Sequence, residues 1–171
     1  MEPTGLIRTI HQKQQVHPSI GSAKSMAAVF WGLKGLIHVA ILGHGQSFDS
    51  EFVCETVLPG LELAVKTTRP VLGLSGVSLH WDNARPHKSA ALRIKELQHP
   101  PYSPDLAPCD FFLFGYLKNK IQGRHFRDEN EIRSAITELF DEIQQTTLED
   151  VFVRWKERLE SVIENGGEYL P

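Results

Sequence analysis

The chain has 171 residues, a formal net charge of −3 at pH 7 and an apolar content of 41%. This length suits one domain with a hydrophobic core. No apolar run approaches the ~20 residues of a membrane helix, and the first ten residues lack the basic start and apolar core of a signal peptide. Cys54 and Cys109 form neither a CxxC motif nor a disulfide framework, which fits a reducing intracellular location.

Positive charge is concentrated in the middle of the chain. Residues 83–127 contain eight basic and three acidic residues, a balance of +5, so the remainder carries −8. A basic segment on an acidic body can face phosphate, although solvated helix faces explain the pattern equally well. The candidate DNA-binding residues are Arg85, His87, Lys88, Lys118, Lys120 and Arg124.

The first half of the chain predicts strands followed by a helix. Residues 1–25 show no periodicity and are predicted to be irregular. Two apolar runs, 26–33 and 36–42, are separated by a turn that contains Gly35, and they predict an antiparallel hairpin with both faces covered. Residues 50–67 have helical composition, but Pro59-Gly60 predicts a kink or a break.

The second half predicts one more strand and then helices. Residues 76–81 read as a strand, and 88–97 as a helix. A stiff loop at 98–109 contains four prolines. Three further helices are predicted at 111–121, at 128–143, and from a capping box that begins at Thr147 to a stop at Gly166. This order predicts a small sheet covered by helices.

Two aspartates occupy positions suited to binding a metal ion. Asp82 directly follows the predicted strand 76–81, and Asp110 directly precedes the helix that begins at Phe111. Two such carboxylates, if they converge on Mg²⁺ or Mn²⁺, form part of a two-metal site for phosphoryl transfer, which normally uses a third carboxylate. In the alternative interpretation, Asp82 begins a turn and Asp110 caps a helix.

A second possible metal site involves histidine. His80 and His87 flank Asp82 in an HxDxxxxH pattern, which can bind a transition metal. No further His/Cys cluster completes a zinc ligand set, so zinc is the weaker hypothesis.

Two sequence blocks, DNARPH at 82–87 and PYSPDLAPCD at 101–110, resemble the signature blocks of mariner-type transposases. These belong to the Tc1/mariner branch of the DDE/D transposases, and a domain of the same kind is fused to a SET-domain histone methyltransferase. The resemblance implies an RNase H-like fold, Mg²⁺ or Mn²⁺ as cofactor, and DNA strand cleavage and transfer at transposon ends. Asp82 and Asp110 match the second and third catalytic, metal-binding aspartates, and Asp105 matches a structural position.

The chain departs from the family pattern in three ways. No aspartate precedes Asp49, so the first catalytic aspartate and its strand are expected to be missing. The interval 83–109 is shorter than in relatives, which predicts the loss of a short edge strand after helix 88–97. The helix-turn-helix region that precedes the catalytic domain in full-length relatives is expected to be absent. The expected fold is therefore an α/β, RNase H-like domain at 26–171, truncated at its N-terminus, behind an irregular remnant at 1–25.

The resulting functional hypothesis is a transposase catalytic-domain remnant with impaired strand cleavage. One alternative is a domesticated, non-catalytic module that binds DNA or a partner, and another is an active nuclease in which Asp49 or Glu51 replaces the missing aspartate. The resemblance implies DNA as partner, a possible homodimer and a nuclear location. A membrane or a small-molecule substrate is not expected.

Overall fold

A mixed sheet forms the centre of the molecule. The computed structural model describes residues 6–12, 25–43, 49–68, 70, 76–80 and 95–167. For residues 6–12 it describes the backbone and not the side chains. The strands are β1 (Leu6–Gln12), β2 (Met26–Gly32), β3 (Gly35–Leu42), β4 (Ser78–His80) and β5 (Lys95–Leu97). Their spatial order is β3-β2-β1-β4-β5. β1 pairs antiparallel with β2 and parallel with β4, and β4 pairs parallel with β5.

Helices flank this sheet, as the sequence predicted. Before β4 come α1 (Ser50–Phe52), a π-helical segment (Val53–Val57) and α2 (Leu58–Thr68). After β5 come a 3₁₀ turn (Pro104–Leu106), a π-helical segment (Cys109–Leu113), α3 (Phe114–Ile121), α4 (Glu129–Asp141) and α5 (Gln145–Glu164). No helix in these described parts is long and apolar enough to cross a membrane.

The predicted hairpin of β2 and β3 is confirmed, and so is the burial of its two faces. Gly35 has a φ of +96°, a left-handed value that favours glycine in the turn. Because successive side chains of a strand alternate between faces, the hairpin contributes to two cores. Trp31 and Val39 pack with α3, α4 and α5, whereas Phe30 and Ala40 pack with α2 and the π-helical segment before it.

The N-terminal prediction was wrong over Leu6–Gln12. These residues form β1, which lies in the middle of the sheet rather than in an irregular remnant. β1 hydrogen-bonds to β2 and to β4, so its conformation is stabilised by long-range pairing that local periodicity does not reveal. The expected loss of the first strand is therefore incorrect.

The predicted loss of an edge strand was also wrong. β5 lies at the edge of the sheet, with Ser78 opposite Lys95 and His80 opposite Leu97. The last three residues of the predicted helix 88–97 are thus a strand, because pairing with β4 outweighs their helical propensity. Residues 88–94 lie outside the described residues.

Of the kink or break predicted at Pro59-Gly60, the break does not occur, and the kink stays a prediction. Residues 50–68 run as one helix, with the π-helical segment immediately before the turn that contains Pro59. The wider turn accommodates a residue that has no N–H to donate. Gly60 allows a close approach to β3, since a Cβ there would lie 2.6 Å from His38 Nε2.

The last two helices largely follow the prediction. In α4, Asp128 caps the N-terminus by accepting from the Glu131 N–H at 3.0 Å. The apolar stripe of this helix is buried: Ile132, Ala135, Ile136, Leu139 and Phe140. α5 begins two residues before Thr147, and its N-cap residue, Gln144, makes no side-chain capping hydrogen bond, so the predicted capping box is wrong. The side-chain amide of Gln145 donates to the Leu33 carbonyl at 2.8 Å. Gly166, with a φ of +69°, is the predicted stop.

Candidate metal and DNA-binding site

Asp110 lies at the start of a helix and is exposed to solvent. The helix consists of Cys109–Leu113 and Phe114–Ile121 and is called the 109–121 helix below. Asp110 is its second residue, and its N–H donates to the Ala107 carbonyl at 2.8 Å. The partial positive charge at this end of the helix stabilises a carboxylate. Asp110 therefore presents an oxygen ligand of the kind that hard divalent cations prefer.

The residue before Asp110 is tied to the sheet. The indole N–H of Trp31, on β2, donates to the Cys109 Sγ at 3.3 Å. Trp31 is fully buried, and its ring lies 5.5 Å from that of Phe152 and 6.0 Å from that of Phe112, between centroids. Cys109 thus helps to fix the start of the 109–121 helix, which is a structural role.

α5 fixes the loop that leads into Asp110. The indole N–H of Trp155 donates to the Leu106 carbonyl at 2.9 Å. The Arg158 guanidinium donates to the Asp105 carbonyl, also at 2.9 Å, and its central carbon lies 4.3 Å from the ring centroid of Phe111. Asp105 therefore supports the structure through its backbone carbonyl, while its Oδ1 is buried without a hydrogen-bond partner.

A pair of histidines joins the end of β4 to the start of the same loop. His80 is 5% exposed, and its Nε2 lies 3.2 Å from the Nδ1 of His99. The His80 ring also lies 5.5 Å from that of Trp155. The strand that leads towards Asp82 and the loop that leads towards Asp110 are thus held together. Sequence reasoning missed His99, since nothing in the local pattern marks it as the partner of a residue in another strand.

The hypothesised transition-metal site gains no support from the described residues. His87, which was expected to accompany His80, lies outside them. In the part of the chain that the structure describes, no three His, Cys, Asp or Glu side chains come together as a metal site. His80 instead contacts His99 and Trp155.

Several predicted site residues fall on parts of the chain that the structure does not describe. Asp82, Arg85, His87 and Lys88 lie outside the described residues, so the expected convergence of Asp82 with Asp110 stays a prediction. β4 ends at His80, two positions before Asp82. Its parallel neighbour β1 contains no aspartate or glutamate.

The three described basic candidates lie on or just after the 109–121 helix and are exposed. Lys120 Nζ lies 3.0 Å from a Glu142 carboxylate oxygen, and this hydrogen bond raises the pKa of Lys120 above its usual value. Arg124 lies 4.0 Å from a Glu138 oxygen and stacks on the Phe126 ring at 5.4 Å. Glu138 of α4 and Glu142, which directly follows α4, thus balance part of this positive charge, whereas Lys118 is exposed on α3.

The chain is similar in sequence to two known proteins. It is 29% identical to the human histone-lysine N-methyltransferase SETMAR over 150 residues, which cover 81% of this chain and 22% of SETMAR. It is 26% identical to the mariner Mos1 transposase of Drosophila mauritiana over 167 residues, 90% of this chain and 47% of that protein. The chain therefore spans less than half the length of either relative. No protein-family model matches it.

Solved structures of Mos1 share the fold. The Mos1 transposase catalytic domain with raltegravir and Mn superposes with a TM-score of 0.81 and 21% identity, covering 99% of this chain and 86% of that chain. The Mos1 mariner paired end complex with Mn gives 0.78 and 20%, covering 99% and 58%. The chain is therefore homologous to SETMAR and to the Mos1 mariner transposase, and it has the mixed α/β, RNase H-like fold of the Mos1 catalytic domain.

Proposed function

We propose that this domain binds DNA as a mariner-type transposase catalytic domain does, with impaired metal-dependent strand cleavage. The observation that carries the proposal is the composition of β1. This strand lies in the middle of the sheet, parallel to β4, yet it contains no acidic residue. The strand that the sequence pattern indicated as lost is present, but without a carboxylate for the site. Impairment thus follows from the missing ligand rather than from a missing strand.

Asp82 and Asp110 are the proposed metal ligands and catalytic residues, with Mg²⁺ or Mn²⁺ as the metal. The exposed carboxylate of Asp110 at a helix start suits either ion. When bound, such an ion stabilises negative charge on phosphoryl oxygens and activates water. Structures of the Mos1 catalytic domain with Mn and with Mg support this choice. Because two carboxylates hold a divalent ion less tightly than three, we expect weak metal binding.

DNA is the proposed partner, in a nuclear protein that can pair with a second copy. Solved structures of a Mos1 transpososome and of Mos1 paired-end complexes support the DNA partner by homology. The nuclear location and the second copy follow from the resemblance to mariner-type transposases. The backbone phosphates would be met by the exposed cations along the 109–121 helix and by those in the DNARPH block. The full set is Arg85, His87, Lys88, Lys118, Lys120 and Arg124.

An active nuclease in which Asp49 is the replacement acid is a weaker candidate than one in which Glu51 takes that place. The Asp49 carboxylate already accepts a hydrogen bond from the Phe52 N–H at 3.0 Å, where it caps α1. A capping carboxylate has less capacity left for a metal ion.

The alternative of a domesticated, non-catalytic binding module agrees with the composition of β1. It differs from the leading proposal only because it has no residual strand cleavage.

A plasmid-nicking assay with Mg²⁺ or Mn²⁺, together with a DNA-binding titration at several salt concentrations, tests the proposal. We expect salt-dependent binding that Asp82→Ala and Asp110→Ala do not weaken, because phosphate contacts rather than the carboxylates supply the affinity. We expect little or no nicking. Asp141→Ala, which removes an exposed acid at the end of α4, is the matched control.

Two results would contradict this proposal. Efficient nicking by the unaltered protein that disappears in both site variants but persists in Asp141→Ala would show that the site is competent. Absence of DNA binding even at low salt would remove the DNA-binding function itself. Weak nicking that both site variants abolish would instead support an impaired two-carboxylate site over the purely non-catalytic module.

A further inference from the structure

Tyr102 presents its side chain almost entirely to solvent. It is 96% exposed, compared with 68% for Leu63 and 77% for Ile163, two other large apolar residues on the surface. Tyrosine normally buries most of its ring and leaves only the hydroxyl in contact with water. A fully exposed ring gains nothing for the stability of the fold, so its position needs another explanation.

The backbone at Tyr102 is strained as well. Its φ of +57° is the one positive value at a non-glycine residue among the described parts of the chain. The left-handed region is unfavourable for a bulky side chain, whereas glycine or asparagine adopts it readily. Strain of this kind is retained where the surroundings impose it, and it is commonly found at functional sites.

The segment around Tyr102 is rigid. Pro101 and Pro104 restrict the backbone on either side, the Ser103 hydroxyl donates to the Pro101 carbonyl at 3.1 Å, and the Leu106 N–H donates to the Ser103 carbonyl at 3.0 Å. The anchors on α5 described above hold the rest of the loop. The backbone that carries the ring is therefore held in one conformation, which lowers the entropic cost of binding a flat partner.

We propose that Tyr102 is a stacking platform for an unpaired nucleobase of DNA held near Asp110. This inference rests on the proposed DNA-binding function, and it adds that the bound DNA is single-stranded at this point. The segment that carries Tyr102 continues through the 3₁₀ turn Pro104–Leu106 into the 109–121 helix, whose second residue is Asp110. Every base has an aromatic face, so stacking tolerates any sequence, whereas bases within a duplex are already covered by their neighbours.

The test uses the whole chain and an oligothymidylate strand that carries a single 2-aminopurine, whose fluorescence is quenched by stacking on an aromatic ring. Tyr102→Phe keeps the ring and removes the hydroxyl. Tyr102→Asn removes the ring but tolerates the left-handed backbone. We expect the unaltered protein and Tyr102→Phe to quench and bind alike, and Tyr102→Asn to bind about tenfold more weakly without quenching. Affinity for the matching duplex should be the same for all three.

Thermal unfolding of the same proteins checks that the fold is intact. Tyr102→Asn should melt at the same temperature or a few degrees higher, since it relieves backbone strain. The inference is overturned if Tyr102→Asn binds the single strand as well as the unaltered protein does, if Tyr102→Phe loses as much as Tyr102→Asn, or if the duplex is weakened equally. If the unaltered protein binds neither DNA, the proposed function fails, and this inference fails with it.

Discussion

Arg158 should contribute measurably to the stability of the loop that carries Asp110. Its guanidinium donates to the Asp105 carbonyl at 2.9 Å and stacks on Phe111 at 4.3 Å. A hydrogen bond from a charged donor contributes about 1.5–3 kcal/mol, and a cation–π contact at a partly exposed site about 0.5–1 kcal/mol. Because Arg158 is half-buried, the lower end of each range applies, about 1.5 kcal/mol for the hydrogen bond and about 0.5 kcal/mol for the cation–π contact. Arg158→Ala should therefore lower the free energy of unfolding by about 2 kcal/mol.

For a domain of this size, about 2 kcal/mol corresponds to a fall of roughly 4–8 °C in the melting temperature. The matched control is Arg154→Ala, one turn earlier on α5, where the guanidinium Nε lies 3.4 Å from the Asp150 carbonyl and the side chain is exposed. We expect this control to change stability by less than about 0.5 kcal/mol. Equal melting temperatures for the two variants, measured by circular dichroism, would refute the assignment of Arg158 as an anchor.

Three further predictions concern buried contacts. Gly60→Ala should destabilise the fold by about 1–3 kcal/mol, because the new Cβ would meet the His38 ring, and a denaturant titration should show the cost falling when His38→Ala is added. Burial, and next the charge of Arg133, lower the pKa of His38 from its usual 6.5, so below about that pH the unfolded state binds more protons than the folded state. The free energy of unfolding should therefore fall as the pH drops below about 6.5. Urea unfolding at about pH 5.5 and about pH 7.5 measures this fall, which should be smaller in His38→Leu. His99→Ala removes the contact with buried His80 and should lower the free energy of unfolding, measured by denaturant titration, by about 1 kcal/mol. An unchanged denaturant midpoint would show that the pair is not stabilising.

Local patterns predicted the parts of the fold that depend on local interactions. Gly35 and Gly166 adopt positive φ values where a turn and a helix stop were expected. The stripe of α4 is buried because its apolar residues recur at helical spacing, whatever they pack against. These features are determined within a few residues of one another, so a single sequence is sufficient to recognise them.

The errors occurred where distant partners decide the structure. β1 contains Gln12 and has no clear alternation, and it is a strand because β2 and β4 supply its hydrogen bonds. β5 has residues that favour a helix, and it is a strand because β4 is its neighbour. The contact of His80 with His99 has the same origin. For the candidate site, recognisable blocks indicated Asp110, but not the indole and guanidinium groups that hold its loop.

The central position of β1 also has a consequence for folding kinetics. β2 and β3 can pair as soon as both have been synthesised, since a short turn joins them. β1, by contrast, pairs Leu6 with Ser78, and among the described strands it is the one that hydrogen-bonds to both the hairpin and the β4–β5 pair. Closing so long a loop is entropically costly, so the parallel ladder should form late and limit the folding rate. Until then, the two halves of the sheet would have unpaired edges at which chains can aggregate.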